Sequence, residues 1–216
     1  MNLGELRARF RSEEKDAVAP YLWSDEDLNA WINDAQEEAC RRALLLVDST
    51  TSAALATYGA GDIGVALDPS VIYVRRATLA GNNLPMAPRV ARTMDEEVPG
   101  WENAQASVPR VFVPDWQTGY LRFWPPAVAA GTVRMTVVRT PLVPMESDSD
   151  EPEIRAQYHA YLLDWVRARA YSTQDADTYD PKKADKFMAL FVQRFGDTTP
   201  ANEHWALEQY YDIGAN

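Results

Sequence analysis

The stretch Ser24-Asp25-Glu26-Asp27-Leu28-Asn29-Ala30-Trp31-Ile32-Asn33-Asp34-Ala35-Gln36-Glu37-Glu38-Ala39 decides the fold class at the first end of the chain. Ser24, followed by three acidic residues, has the form of an N-cap with a first turn that suits the positive end of a helix dipole. Leu28, Trp31, Ile32, Ala35 and Ala39 then recur at the spacing of one helical face, while Asp34, Glu37, Glu38 and Arg41 occupy the other. This pattern predicts a helix continuing to about Val47. Before it, Leu3, Leu6 and Phe10 predict a short amphipathic helix within residues 1–15, broken at Pro20-Tyr21.

From Asp48 to Pro144 the pattern changes, because β-branched and aromatic residues dominate and Gly or Pro punctuates each short run. Strands are expected at Ser52–Tyr58, Ile72–Leu79, Leu84–Arg89, Arg110–Val113, Tyr120–Trp124 and Thr132–Arg139. Gly81-Asn82-Asn83 and Gln117-Thr118-Gly119 read as hairpin-type turns. Val133, Met135 and Val137 alternate with Arg134, Thr136 and Val138, as in a half-buried antiparallel strand. A helical turn is expected around Arg92–Glu97, ended by Pro99-Gly100.

Past the acidic linker Met145–Glu151 the helical period returns. Asp150 can cap a helix that tolerates Pro152 in its first turn, with Ile154, Tyr158, Tyr161, Leu162 and Trp165 as the inward stripe. A second helix starts at Asp180-Pro181, carries Ala184, Phe187, Met188, Phe191 and Phe195 on one side, and stops at Gly196. The two should pack as a hairpin. The expected fold class is therefore α+β: a helical core from both chain ends (1–47 and 151–196), a β-rich antiparallel insertion (48–145), and an extended C-terminal arm (197–216). Fully extended, that arm spans about 60 Å.

The 216 residues are 46% hydrophobic, enough for a sizeable core. With 21 Lys+Arg against 32 Asp+Glu the net charge is -11, which opposes a grip on nucleic acid through its phosphates. Such a charge suits a conduit along which DNA slides without sticking, and equally suits simple solubility. No apolar run approaches the roughly 20 residues of a membrane span, and Met1-Asn2-Leu3-Gly4-Glu5 lacks the layout of a secretion signal, so cytosolic synthesis is expected. Cys40 is the only cysteine, which excludes an internal disulfide, and its helical position suggests packing.

No phosphate loop, nucleophile elbow or zinc-protease motif occurs, and Gly59-Ala60-Gly61-Asp62-Ile63-Gly64 breaks the dinucleotide spacing, so no enzyme, cofactor or metal is expected. Asp175, Asp177 and Asp180 lack the glycine and terminal glutamate of a calcium loop and read as an interhelix turn. Glu146, Asp148, Asp150 and Glu151 read as a solvated linker. His159 reads as a surface or half-buried packing residue, and His204 lies in the arm. The aromatics are more informative. Trp101, Trp116 and Trp124, in or beside the β region, read as core, as anchors of a subunit interface, or as a sugar-binding platform without an evident polar set. The interface reading takes in Trp31, Trp101, Trp116, Trp205, Tyr210 and Tyr211. Arg75, Arg76, Arg89, Arg92, Arg110, Arg134 and Arg139 form either solvated strand faces or a patch for an acidic partner.

Several of these features recur in a shared order. The helix Leu22–Ala39, the segment Val98-Pro99-Gly100-Trp101, the runs Val108–Val113 and Leu121–Pro126, and Val138-Arg139-Thr140-Pro141 together resemble the head-to-tail adaptor (connector, or head-completion) proteins of tailed bacteriophages. Tyr158–Trp165 and Lys186–Gly196 look like that family's paired C-terminal helices. The likeness covers residues 20 to 196. It implies a structural virion protein of the neck, made in the bacterial cytoplasm, that forms a ring of its own, usually of twelve copies, beneath the portal protein. It further implies a tail, stopper or nozzle protein as partner, DNA passing through without specific binding, no membrane, and no catalysis. The alternative is a glycan- or protein-binding β-module on a helical base.

Overall fold

The computed structural model describes residues 1–82, 84–173 and 178–197. Of the expected arm only Asp197 is described; the rest, with His204, Trp205, Tyr210 and Tyr211, lies outside the described residues, as do Asn83, Asp175 and Asp177. The described chain divides into two units: Met1–Leu46 together with Thr140 to Asp197, and Val47–Arg139.

The first unit is helical. Helix α1 (Leu3–Glu13) opens with a capping box, Asn2 accepting from the Glu5 N–H at 2.8 Å while the Glu5 carboxylate accepts from the Asn2 N–H at 3.1 Å. Leu3, Leu6 and Phe10 are fully buried, each such side chain contributing about 1.5–3 kcal/mol of transfer free energy. Helix α2 (Asp25–Ala43) is capped by Ser24 as expected, its Oγ accepting from the Asp27 N–H at 3.0 Å. It ends earlier than the apolar pattern predicts. Leu44 takes a left-handed conformation (φ +52°) with its N–H returned to the Cys40 carbonyl, and Val47 falls instead in strand β1 (Leu46–Asp48).

The return to helix after the acidic linker also differs from expectation. Asp150 caps no helix; its carboxylate accepts from the N–H groups of Glu146 (2.9 Å) and Ser147 (2.8 Å), closing a turn. The carbonyls of Asp148 and Asp150 in turn accept from the Gly4 and Leu3 N–H groups, two of the donors that the first turn of α1 leaves without partners. Those tertiary bonds keep the segment non-helical until α4 (Ala156–His159) and α5 (Leu162–Ser172). Helix α6 (Pro181–Phe195) starts and stops where the sequence places it: Asp180 accepts from the Lys183 N–H at 3.1 Å, and Gly196 takes φ +87°. It packs on α5 as a hairpin through Trp165 against Phe191 (5.1 Å between centroids) and Tyr171 stacked on Phe187 (6.2 Å). Cys40 is buried in this core. So is His159, against the surface or half-buried placement expected. Its Nε2–H donates to the Ile154 carbonyl at 2.8 Å and its Nδ1 lies 2.9 Å from the Met1 nitrogen, so both ring nitrogens are satisfied.

The second unit holds two sheets. In one, β8 (Gly131–Arg139) pairs with β1, with β2 (Leu55–Tyr58) and with β4 (Val71–Leu79). The other runs in the order β3 (Gly64–Ala66), β7 (Tyr120–Trp124), β6 (Val111–Gln117), β5 (Ala87–Pro88). The expected antiparallel pairing is found for β2 and β4 on β8 and for β3 and β6 on β7, whereas β5 runs parallel to β6 and Ser107 bridges Ala127 in parallel. The turn after β4 forms at Gly81 (φ +82°) and its arms share one bond, Met86 N–H to Ala77 O, but β5 then leaves for the other sheet instead of completing a hairpin. Thr118-Gly119 does close the β6–β7 hairpin. β3 begins at the last glycine of the sequence that broke the dinucleotide spacing, and there is room for nothing larger: a Cβ on Gly64 would stand 2.2 Å from the Leu121 carbonyl oxygen. Ser52–Ala54, expected as strand, is a short 3-10 turn. Helix α3 (Ala91–Glu97) fills the place of the expected helical turn.

Candidate functional site

Two surfaces of the β unit carry chemistry that packing alone does not demand. The first is built on the β6–β7 hairpin. Gly100 (φ +77°) turns the chain after α3 so that Trp101 enters a short 3-10 turn, where it is 2% exposed and packs with Met94 and Val113. Its ring meets Trp116 edge-on at 5.4 Å, and its indole N–H donates to Asp95 at 2.9 Å. The Arg122 guanidinium lies against both rings, 4.8 Å from the Trp101 centroid and 4.2 Å from that of Trp116. Arg122 is 6% exposed, it reaches the Glu102 carbonyl at 3.5 Å, and its buried Nε has no partner among the described residues. Cation–π attraction of about 0.5–2 kcal/mol per ring offsets part of that desolvation. Trp116 remains 38% exposed, leaving a broad aromatic edge over a charged base.

Of the aromatics singled out from sequence, this arrangement unites Trp101 and Trp116, with Trp101 reaching the surface only through its neighbour. Trp124 packs beside the same small core. Trp31 lies elsewhere, half-buried on α2 against the helical core. Sequence reasoning missed Arg122, although one cue was present: a single cation inside Tyr120-Leu121-Arg122-Phe123-Trp124, an otherwise aromatic and apolar strand.

The second surface is the polar face of the β4–β8 sheet. Arg76 stands opposite Thr136 and Thr78 opposite Arg134, so the two arginines lie diagonally across the ladder. Two adjoining hollows, each about 340 Å³, share Ser49 and Arg134; Leu55, Thr132, Thr78 and Asn82 also line them. The Ser49 to Thr51 turn is fixed by Asp48, which accepts from the Thr50 and Thr51 N–H groups (2.9 and 3.2 Å) and from Arg139 at 2.7 Å. Burial raises the Asp48 carboxyl, but bonds from Thr51, Thr50 and Arg139 outweigh it and hold the group well below the usual carboxylate range. The seven arginines grouped by sequence therefore have different fates, Arg110 being simply exposed just before β6. Arg139 is buried on Asp48, Arg92 pairs with Glu96, Arg89 with Glu97, and Arg75 donates to the Tyr73 hydroxyl. Arg76 and Arg134 line the second hollow together, and neither side chain has a hydrogen bond or ion pair among the described residues.

Of the acidic clusters, Asp148 pairs with Arg7 at 2.8 Å, Asp150 closes its turn and Asp180 caps α6. Among the described residues no group of three or more His, Cys, Asp or Glu could hold a metal ion, and no helix is long and apolar enough to cross a membrane.

Exposed aromatic and arginine surfaces are features of proteins that work through contact with other macromolecules. The model of one such family, described as SU10 adaptor protein, matches residues 1–209, and the chain belongs to that family. It is thus a phage adaptor protein, a structural component of a virion. A search of curated proteins found no match.

Proposed function

We propose that this chain is the head-to-tail adaptor of a tailed phage, forming a ring of twelve copies below the portal protein, lining the path of the DNA and presenting the surface on which the tail, stopper or nozzle protein assembles. The observation that carries the reading is the family match, which runs through both units. The helical unit suits the ring wall. Ion pairs such as Arg11 with Asp16 (2.5 Å) and Asp25 (2.7 Å) tie α1, the following loop and α2 into one body, so that a head-to-tail contact between copies can be repeated and closed without distortion. The net charge of -11 suits a wall past which DNA slides. Trp116, backed by Trp101 and Arg122, is the proposed tail-side or intersubunit anchor, with Trp31, Trp205, Tyr210 and Tyr211 as further contacts.

The test is cryo-electron microscopy of the purified protein mixed with the portal of the same particle, beside a mass measurement of the protein alone. A ring stacked on the portal is expected. A monomer that leaves the portal bare would overturn the proposal.

A further inference from the structure

We infer that the polar face of the β4–β8 sheet, around Arg76 and Arg134, receives carboxylates of a second copy of this chain. This rests on the self-assembly proposed above and names one side of its contact.

Charge distribution carries the argument. Residues 47–139 hold eight acidic and eight basic side chains, so the whole net charge of -11 falls on the remainder of the chain, which has 24 carboxylates against 13 basic groups. Inside the β unit the carboxylates serve other partners: Asp48 holds Arg139, Asp95 the Trp101 indole, Glu96 holds Arg92, and Asp115 the Ala91 N–H. The residues lining the two hollows include no carboxylate. Among the described residues, these two arginines, diagonal across the ladder and lining the same hollow, have no carboxylate partner.

The backbone is shaped to produce this pair. The register of β4 on β8 slips between Val74 and Arg76, so Arg75 is an extra residue in the ladder. Strict alternation from the inward Val74 would turn Arg76 toward the core; the bulge sends it outward opposite Thr136 and restores Ala77 and Leu79 to the buried face. Arg134 and the hydroxyls of Thr78, Thr132 and Ser49 complete a donor-rich surface. Two forked guanidinium groups beside hydroxyl donors match carboxylates by geometry as well as sign. A DNA backbone would offer anions too, but a chain of net charge -11 repels it. The acidic portion of a neighbouring copy is the anion that self-assembly brings within reach.

The test uses the full chain with the portal of its own particle. An equal mixture of isotopically light and heavy R76K/R134K protein is assembled and treated with a carbodiimide, which joins an amine to a carboxylate only at ion-pair distance. Peptide mass spectrometry should find the amine at position 76 or 134 joined to an acidic peptide from residues 1–46 or 140–216 of the oppositely labelled copy. R76E/R134E, with unchanged circular dichroism, should assemble about tenfold more weakly. Assemblies that form without such links, or with links to the portal alone or within one copy alone, would overturn the inference while leaving the ring intact. Duplex DNA bound at physiological salt by the unaltered protein and lost in R76E/R134E would reassign the face to phosphate. Failure of unaltered chains to assemble at all would remove the proposed function and this inference with it.

Discussion

Replacing Arg167 by methionine asks how much of the helical unit depends on one cation. Arg167 on α5 is 8% exposed; it donates to Glu14 at 2.7 Å and to Glu13, both at the end of α1, and lies 3.3 Å from Asp164 one turn earlier. The Tyr171 hydroxyl donates to Glu14 as well, at 2.5 Å. Methionine keeps an apolar stem of similar length but removes the guanidinium that pairs with Glu14 and Asp164, 12% and 14% exposed, leaving Asp164 only the influence of Arg194. Glu13 is 41% exposed and adds little. Removing one partner of a buried pair costs about 3–5 kcal/mol, and at about 2–4 °C per kcal/mol for a chain of this size the melting temperature should fall by about 6–20 °C at pH 7. The pH dependence gives a second check. Burial pushes the Asp164 carboxyl up, and Arg167 and Arg194 oppose the push, so loss of Arg167 raises it further. A folded-state pKa above the unfolded value gives stability that is present at low pH and lost as pH rises through the folded pKa, so the deficit of R167M should narrow as pH is lowered from 7 toward about 4.5. Urea titrations followed by tryptophan fluorescence at several pH values measure both quantities. A loss below about 0.5 kcal/mol at pH 7, or a deficit that does not change with pH, would refute the reasoning.

Three further outcomes are expected. S24A removes the oxygen that accepts the Asp27 N–H and should cost about 1 kcal/mol, seen as a lower urea midpoint with unchanged slope. G64A drives a methyl group into the Leu121 carbonyl of the paired strand and should cost about 1–3 kcal/mol, with loss of near-ultraviolet dichroism from the tryptophans around β7. Asp48, held below its ordinary range when folded, contributes stability that is complete above the unfolded value near 4 and is lost as pH falls below it; D48N should melt lower at pH 7 and show a flatter acid limb in melts from pH 7 to 3.

What the sequence discloses and what it hides divide along a physical line. Ser24, Asp180-Pro181 and Gly196 act through bonds to residues three or four positions away, so the helix ends they make are legible locally. Asp150 followed by Pro152 offers nearly the same local signal as Asp180-Pro181, yet it closes a turn. What separates the two is long-range: the carbonyls of Asp148 and Asp150 are held by N–H groups at the start of α1, more than 140 residues away. The overrun of α2 has the same origin, because Leu44-Leu45-Leu46-Val47 continues the apolar pattern of a helix and only pairing with β8 makes Leu46–Asp48 a strand.

The arginines of the β region show this most clearly, since nothing in their own composition distinguishes them. Trp101 and Trp116 could be nominated because large aromatics are costly to leave in water, whereas the role of Arg122 depends on both rings arriving from other segments to enclose it. Arg76 depends on less still. Its side of the sheet is set by one extra residue in the ladder at Arg75, and without that bulge the period of two would bury it. A charge pattern along a strand therefore predicts a surface only after the register is known, and here the register brings Arg76 out to the same face as Arg134, where neither side chain has a partner among the described residues.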